Sequence, residues 1–93
     1  MPRPAVRLTI TGRVQGVGYR WWAVQTARRL GLDGWVRNRR DGAVELLAIG
    51  PETALQRLIQ ACRDGPAGAE VASVEATAAQ DDGSQGFIDL PTA

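Results

Sequence analysis

The chain has 93 residues and contains neither histidine nor lysine; all 11 of its basic residues are arginine. Without histidine there is no Ser-His or Cys-His nucleophile pair and no imidazole general base. A histidine metal site is excluded, and the single cysteine, Cys62, cannot build a cysteine-rich zinc cluster. Without lysine there is no Schiff-base amine and no Walker-type phosphate lysine. Chemistry must therefore run on arginine, carboxylates, amides, hydroxyls or backbone N–H groups. One cysteine also excludes an intramolecular disulfide, which fits a reducing compartment. No apolar run long enough for a signal peptide follows Met1-Pro-Arg-Pro. No stretch approaches the roughly 18 apolar residues of a membrane span. A cytoplasmic protein with no membrane association is expected.

What is present is ordinary for a globular chain: 44% hydrophobic and 23% charged residues. The length fits one domain, residues 1–93, burying roughly 60–65% of its unfolded surface. The net charge of +1 hides an asymmetry. Residues 1–40 carry nine Arg and one acid, Asp33; residues 41–93 carry two Arg and nine acids. Such segregation implies that the first half handles an anion, unless folding interleaves the halves.

Val6, Leu8 and Ile10 alternate with Arg7, Thr9 and Thr11, which predicts a half-buried strand over Ala5–Thr11. The Gly-rich segment Gly12–Gly18 follows. Tyr19, Ala23, Ala27 and Leu30 then share one face of a helix predicted over Tyr19–Leu30, with Gly31 as its stop. Gly34–Asn38, the turn Asp41-Gly42 and Ala43–Ile49 predict a hairpin. Gly50-Pro51-Glu52 opens a second helix, whose apolar stripe is Leu55, Leu58, Ile59 and Cys62, and Gly65-Pro66 ends it. Val71–Ala78 and Phe87–Leu90 are the remaining strand candidates. The order β-α-β-β-α-β predicts an α+β, ferredoxin-like sandwich: a four-stranded antiparallel sheet with both helices on one face.

The chemistry concentrates at Gly12–Arg20. There a strand runs through a glycine-rich turn directly into a helix. Successive N–H groups in such a turn can form an anion nest, and the helix start adds unpaired N–H groups and a positive dipole end. Arg20, in the first helical turn, can bind two oxygens of a phosphate through its planar fork. Nest plus arginine make a site for a tetrahedral oxyanion without lysine or metal.

Gly12-Arg-Val-Gln-Gly-Val-Gly-Tyr-Arg20, with Gly31-Leu-Asp-Gly-Trp-Val-Arg-Asn38 and Asp41-Gly42, closely resembles the acylphosphatases. The resemblance is strong from Val6 to Pro51 and looser through Gly65-Pro66 to Phe87-Ile88. It implies a small ferredoxin-like enzyme that hydrolyses the carboxyl–phosphate bond of acyl phosphates, releasing inorganic phosphate. It implies that Arg20 holds the phosphoryl group. The backbone of Val14, Gln15, Gly16, Val17 and Gly18 cradles its oxygens, and Asn38 positions the attacking water. It implies no metal, no cofactor and a monomer.

Some positions depart from the family pattern. Gly18 stands where relatives vary, Tyr19 replaces the usual Phe, and Arg39 stands where vertebrate relatives often have Thr. Phe87-Ile88-Asp89-Leu90 lacks a Phe-x-apolar alternation.

Other residues read as structural. Trp22 is expected near the core edge with Trp21 more exposed, Trp35 and Cys62 in packing, and Asp33 and Asp41 in turns. Arg37, Arg39 and Arg40 could steer an anionic substrate or be solvated hairpin charges. Glu45 and Asp89 show no carboxylate partner, so no acid/base pair is expected. Two other function classes compete. An RNA-recognition module shares the strand order, but Arg-Leu-Thr-Ile-Thr and Val-Glu-Leu-Leu-Ala offer no aromatic for base stacking, so no nucleic-acid partner is expected. A non-catalytic domain of the same family would bind a carboxyl-phosphate ligand without turnover.

Overall fold

The computed structural model describes residues 2–93. Its elements are β1 (Ala5–Arg13), α1 (Tyr19–Arg29), β2 (Asp33–Asn38), β3 (Val44–Ile49), α2 (Glu52–Asp64), β4 (Glu70–Ala78) and β5 (Phe87–Asp89). They form one sheet of order β4-β1-β3-β2-β5. β1 pairs antiparallel with β3 and β4, and β2 pairs antiparallel with β3. These four strands are the antiparallel sheet expected of a ferredoxin-like sandwich. The fifth strand corrects the expected count: β5 runs parallel to β2, with Gly34 opposite Phe87 and Val36 opposite Asp89.

The direction of β5 follows from where β4 ends. Ala78 lies opposite Val6, Ala5 opposite Ile49, and Ile49 opposite Asp33. The chain thus leaves β4 at the end of the sheet where β2 begins. Crossing that end, it can only enter alongside β2 running the same way. A clasp holds the crossing. The Arg3 guanidinium hydrogen-bonds Asp81 and Asp33, and Asp33 accepts the Gly86 N–H at 2.7 Å. The Arg3 contact, with the Gly83 N–H, holds the Asp81 carboxyl below its usual range, at about 2.

The core follows the two expected periodicities. Leu8 and Ile10 of β1, Val36 of β2, Val44, Leu46 and Ala48 of β3, and Phe87 of β5 pack against the helices. From α1 come Tyr19, Ala23 and Ala27; from α2, Leu55, Leu58, Ile59 and Cys62. Leu30 lies just past α1 and is only half-buried. Trp22 packs at the core edge, whereas Trp21 is 70% exposed, as expected of adjacent residues on a helix. The Tyr19 hydroxyl, a departure from the family's Phe, donates to the Cys62 carbonyl at 2.6 Å. Burial pushes the Tyr19 phenol up and the Cys62 thiol up to about 12, so neither ionises near neutrality.

β1 extends two residues beyond the expected Thr11. Gly12 and Arg13 continue the pairing with β4 across a register shift between Thr11 and Gly12. A Cβ on Gly12 would lie 2.3 Å from the Glu70 carbonyl oxygen. Gly12 is therefore a strand glycine at a bulge and takes no part in the loop.

β3 is buried over its whole length, including Glu45 on the helix-free face. Glu45 accepts from Arg37 Nε at 2.7 Å and from Arg7 at 3.3 Å. The guanidinium carbons of Arg37 and Arg7 lie 4.7 and 5.8 Å from the centre of the Trp35 ring. Glu45, for which the sequence showed no partner, is neutralised by two arginines.

Candidate active site

The loop between β1 and α1 is fixed from both sides. Val14 is fully buried at its start, and Val17 packs against the core. Gln15 reaches across to the β2–β3 hairpin, where its Nε2 donates to the carbonyls of Arg39 at 2.7 Å and Ala43 at 2.9 Å. The hairpin turn is itself set by the Asp41 carboxylate, which accepts the Ala43 N–H at 3.0 Å. Gln15 was legible as a loop residue; its side-chain role was not, because its partners lie 24 and 28 residues away. Gln15→Ala should cost about 1–3 kcal/mol for two lost bonds at part-buried carbonyls. It should also loosen the β1–α1 loop against the hairpin. Urea unfolding and amide hydrogen exchange of the loop check the two effects.

Between those anchors the backbone alternates. Gly16 has φ of +74° and Gly18 of +81°, and among the described residues no non-glycine residue has positive φ. The sign of φ therefore alternates along Gln15-Gly16-Val17-Gly18, the conformation that turns successive N–H groups toward one side. No carbonyl among the described residues accepts these four N–H groups. Gly18 ends the loop as the N-cap of α1 without a side-chain cap, and the first turn holds no acid. The first helical bond is from Trp22 N–H to the Gly18 carbonyl, 3.0 Å, so the N–H groups of Tyr19, Arg20 and Trp21 stay free at the positive helix end.

Val14, Gln15, Gly16, Gly18, Tyr19, Arg20, Trp21, Asn38 and Asp89 line a pocket of about 190 Å³. Arg20 and Asn38 thus meet, although 18 positions apart in the sequence. Of the five expected loop residues, Val17 alone is not on the pocket wall. Asn38 is the last residue of β2; its carbonyl accepts from the Ala93 N–H at 3.0 Å. Among the described residues, no hydrogen bond holds its side-chain amide. Asp89 is the residue that sequence reasoning missed. It closes the pocket from β5, with Oδ1 3.5 Å from Arg20 Nη1.

The charge asymmetry of the sequence is largely interleaved in space. Arg3, Arg7, Arg13, Arg20, Arg37 and Arg39 each pair with an acid, and all but the Arg3–Asp33 pair join the basic half to the acidic half. A wider depression of about 490 Å³ on the helix-free side is walled by Arg37, Arg39, Arg40, Asp41, Glu45 and Ala93. Arg37 and Arg39 are neutralised there by Glu45 and Asp41; Arg40 has no ion pair among the described residues. The smaller pocket is the one walled by Arg20 and by loop residues whose N–H groups have no backbone acceptor among the described residues.

Fold and pocket together define a ferredoxin-like sandwich whose β1–α1 loop, with Arg20 and Asn38, walls a pocket at the start of α1. The family model described as Acylphosphatase matches residues 6–88. An acylphosphatase from Acidiphilium cryptum is 48% identical over 88 residues, 95% of this chain and 97% of that protein. One from Rhodospirillum rubrum is 49% identical over 83 residues, 89% of this chain and 91% of that protein. The crystal structure of acylphosphatase from Bacillus subtilis superposes with a TM-score of 0.90 at 39% identity, covering 94% of this chain and 98% of that one. The chain belongs to the acylphosphatase family, hydrolases whose reaction is the hydrolysis of acyl phosphates.

Proposed function

We propose that Arg20, Asn38 and the loop backbone carry this reaction. The supporting observation is one pocket holding the Arg20 guanidinium, the Asn38 side chain and the unpaired N–H groups of the β1–α1 loop. The backbone of Val14–Gly18 and the start of α1 bind the phosphoryl oxygens, and Arg20 grips them through its fork. The Asn38 amide accepts from a water and aims it in line with the acyl oxygen. The water oxygen forms the new bond to phosphorus as the bond from phosphorus to the acyl oxygen breaks. The electron pair leaves with the carboxylate. The water proton passes to a phosphoryl oxygen, which yields inorganic phosphate.

A carboxylate is a good leaving group, so positioning and charge stabilisation do most of the catalysis. No protein acid, base, metal or cofactor has a step in this scheme. Among the described residues, no three His, Cys, Asp or Glu side chains come together as a metal site.

The same reading takes residues 1–93 as one domain acting as a monomer, since the pocket is completed by elements of one chain. A cytoplasmic location fits the single buried thiol of Cys62. No helix of the described residues is long and apolar enough to cross a membrane. The alternative, a carboxyl-phosphate-binding domain without turnover, is disfavoured by Arg20 and Asn38 sharing the pocket. A nucleic-acid partner is disfavoured because Trp35 lies on β2, in contact with two guanidinium groups, and not on the central strands. The test is release of inorganic phosphate from acetyl phosphate or benzoyl phosphate with and without excess chelator. Equal rates are expected, and a metal-restored activity would overturn the scheme.

A further inference from the structure

A carboxylate is the group least expected in a phosphate pocket, and among the described residues Asp89 is the one acid on the wall of this pocket. Its place is set by the sheet. Asp89 lies opposite Val36 in the parallel ladder, and the next N–H, of Leu90, donates to the Val36 carbonyl at 2.8 Å. Phe87, two residues earlier, is buried in the core beneath the helices. Alternation puts Asp89 on that same face, toward the start of α1. Oδ1 lies 3.5 Å from Arg20 Nη1 with no hydrogen bond formed, and the two side chains are 46% and 37% exposed. An ion pair of this kind is a weak tether. The carboxylate nevertheless faces the guanidinium that an incoming phosphoryl group must use.

We propose that Asp89 is a built-in competitor for the phosphate site. In the empty pocket it occupies Arg20. When a phosphoryl dianion enters, the guanidinium is shared or surrendered, and the fixed negative charge opposes the bound anion. After hydrolysis Asp89 reclaims Arg20 and favours departure of inorganic phosphate. Its effect falls on substrate and product alike, because both present the same charged phosphoryl oxygens. Uniformly tighter ground-state binding would lower KM without speeding the chemical step, and it would make product release slower. Asp89 thus keeps the site from being held by its own product.

This inference rests on Arg20 being the phosphoryl ligand. It is tested on the full chain with Asp89→Asn, which keeps the side-chain shape, and Asp89→Ala. Inorganic phosphate is titrated calorimetrically and as a competitive inhibitor of acyl-phosphate hydrolysis. Both variants should bind phosphate about 3–10-fold more tightly, the effect of one half-exposed like charge on an anion, and KM should fall in parallel. A residue of merely structural importance would not tighten binding when replaced. Unchanged or weaker phosphate binding in both variants overturns the proposal. Arg20→Ala run beside them separates the two failures. If it too leaves phosphate binding and hydrolysis intact, the site assignment itself has failed; if it abolishes them, only the role of Asp89 has.

Discussion

Arg20→Ala should lower kcat/KM for an acyl phosphate by at least 10²–10³-fold, about 2–4 kcal/mol of transition-state stabilisation. The expectation follows from what remains in the pocket. Among the described residues the backbone N–H groups of the loop and of the start of α1 would still lack backbone acceptors, but they carry only partial charge. Among the described residues Arg20 is the sole full positive charge on the pocket wall, and Asp89 would then stand there unopposed. Arg20→Lys should recover little, because an ammonium cannot present the two parallel N–H bonds that match two phosphoryl oxygens. Fold loss is not the expected route. Arg20 is 37% exposed and its ion pair is weak. Hydrolysis rates beside circular dichroism and thermal unfolding decide the matter. Near-wild-type turnover in a folded Arg20→Ala protein would remove Arg20 from the site.

Asn38→Ala should split binding from chemistry. Hydrolysis should fall by at least about 10²-fold, the loss seen for other catalytic amide donors. Inorganic phosphate should still bind within a few-fold of wild type, because nest and guanidinium are untouched. The local structure should survive as well. Asn38 is held by its main chain, opposite Val44 in the ladder and through its carbonyl to Ala93. Among the described residues its side chain has no hydrogen bond whose loss would loosen β2. Paired measurements of turnover and phosphate affinity test this. Loss of both together would make Asn38 structural.

The parts legible from sequence were those governed by local periodicity and local backbone chemistry. The stripe Leu55, Leu58, Ile59 and Cys62 is buried as its spacing required, and so is the α1 face of Tyr19, Ala23 and Ala27. Gly16 and Gly18 announced a turn that only glycine adopts easily, and both have positive φ. The parts not legible depend on topology. Phe87–Asp89 is too short to show alternation, and its parallel pairing is dictated by the end of the sheet at which β4 stops. Asp89 therefore reaches Arg20 across 69 positions of sequence with nothing local to reveal it. The same holds for Gln15 on the hairpin carbonyls and for Glu45 between Arg7 and Arg37. A one-dimensional charge count could not foresee those pairings, so it overstated the free positive charge of residues 1–40.

The parallel strand β5 has a second consequence, for self-association. An unpaired strand edge is a template on which another chain can add. Here the outer edge of β2 is covered: its Val36 and Asn38 carbonyls accept N–H groups from Leu90 and Ala93. That cover is a three-residue strand with a short extension, and such segments open at a lower free-energy cost than the core does. Opening it would bare the edge that ends in Asn38 while the helices and the other four strands stay native. The strand that supplies Asn38 to the pocket is thus also one whose edge β5 shields from pairing with another chain.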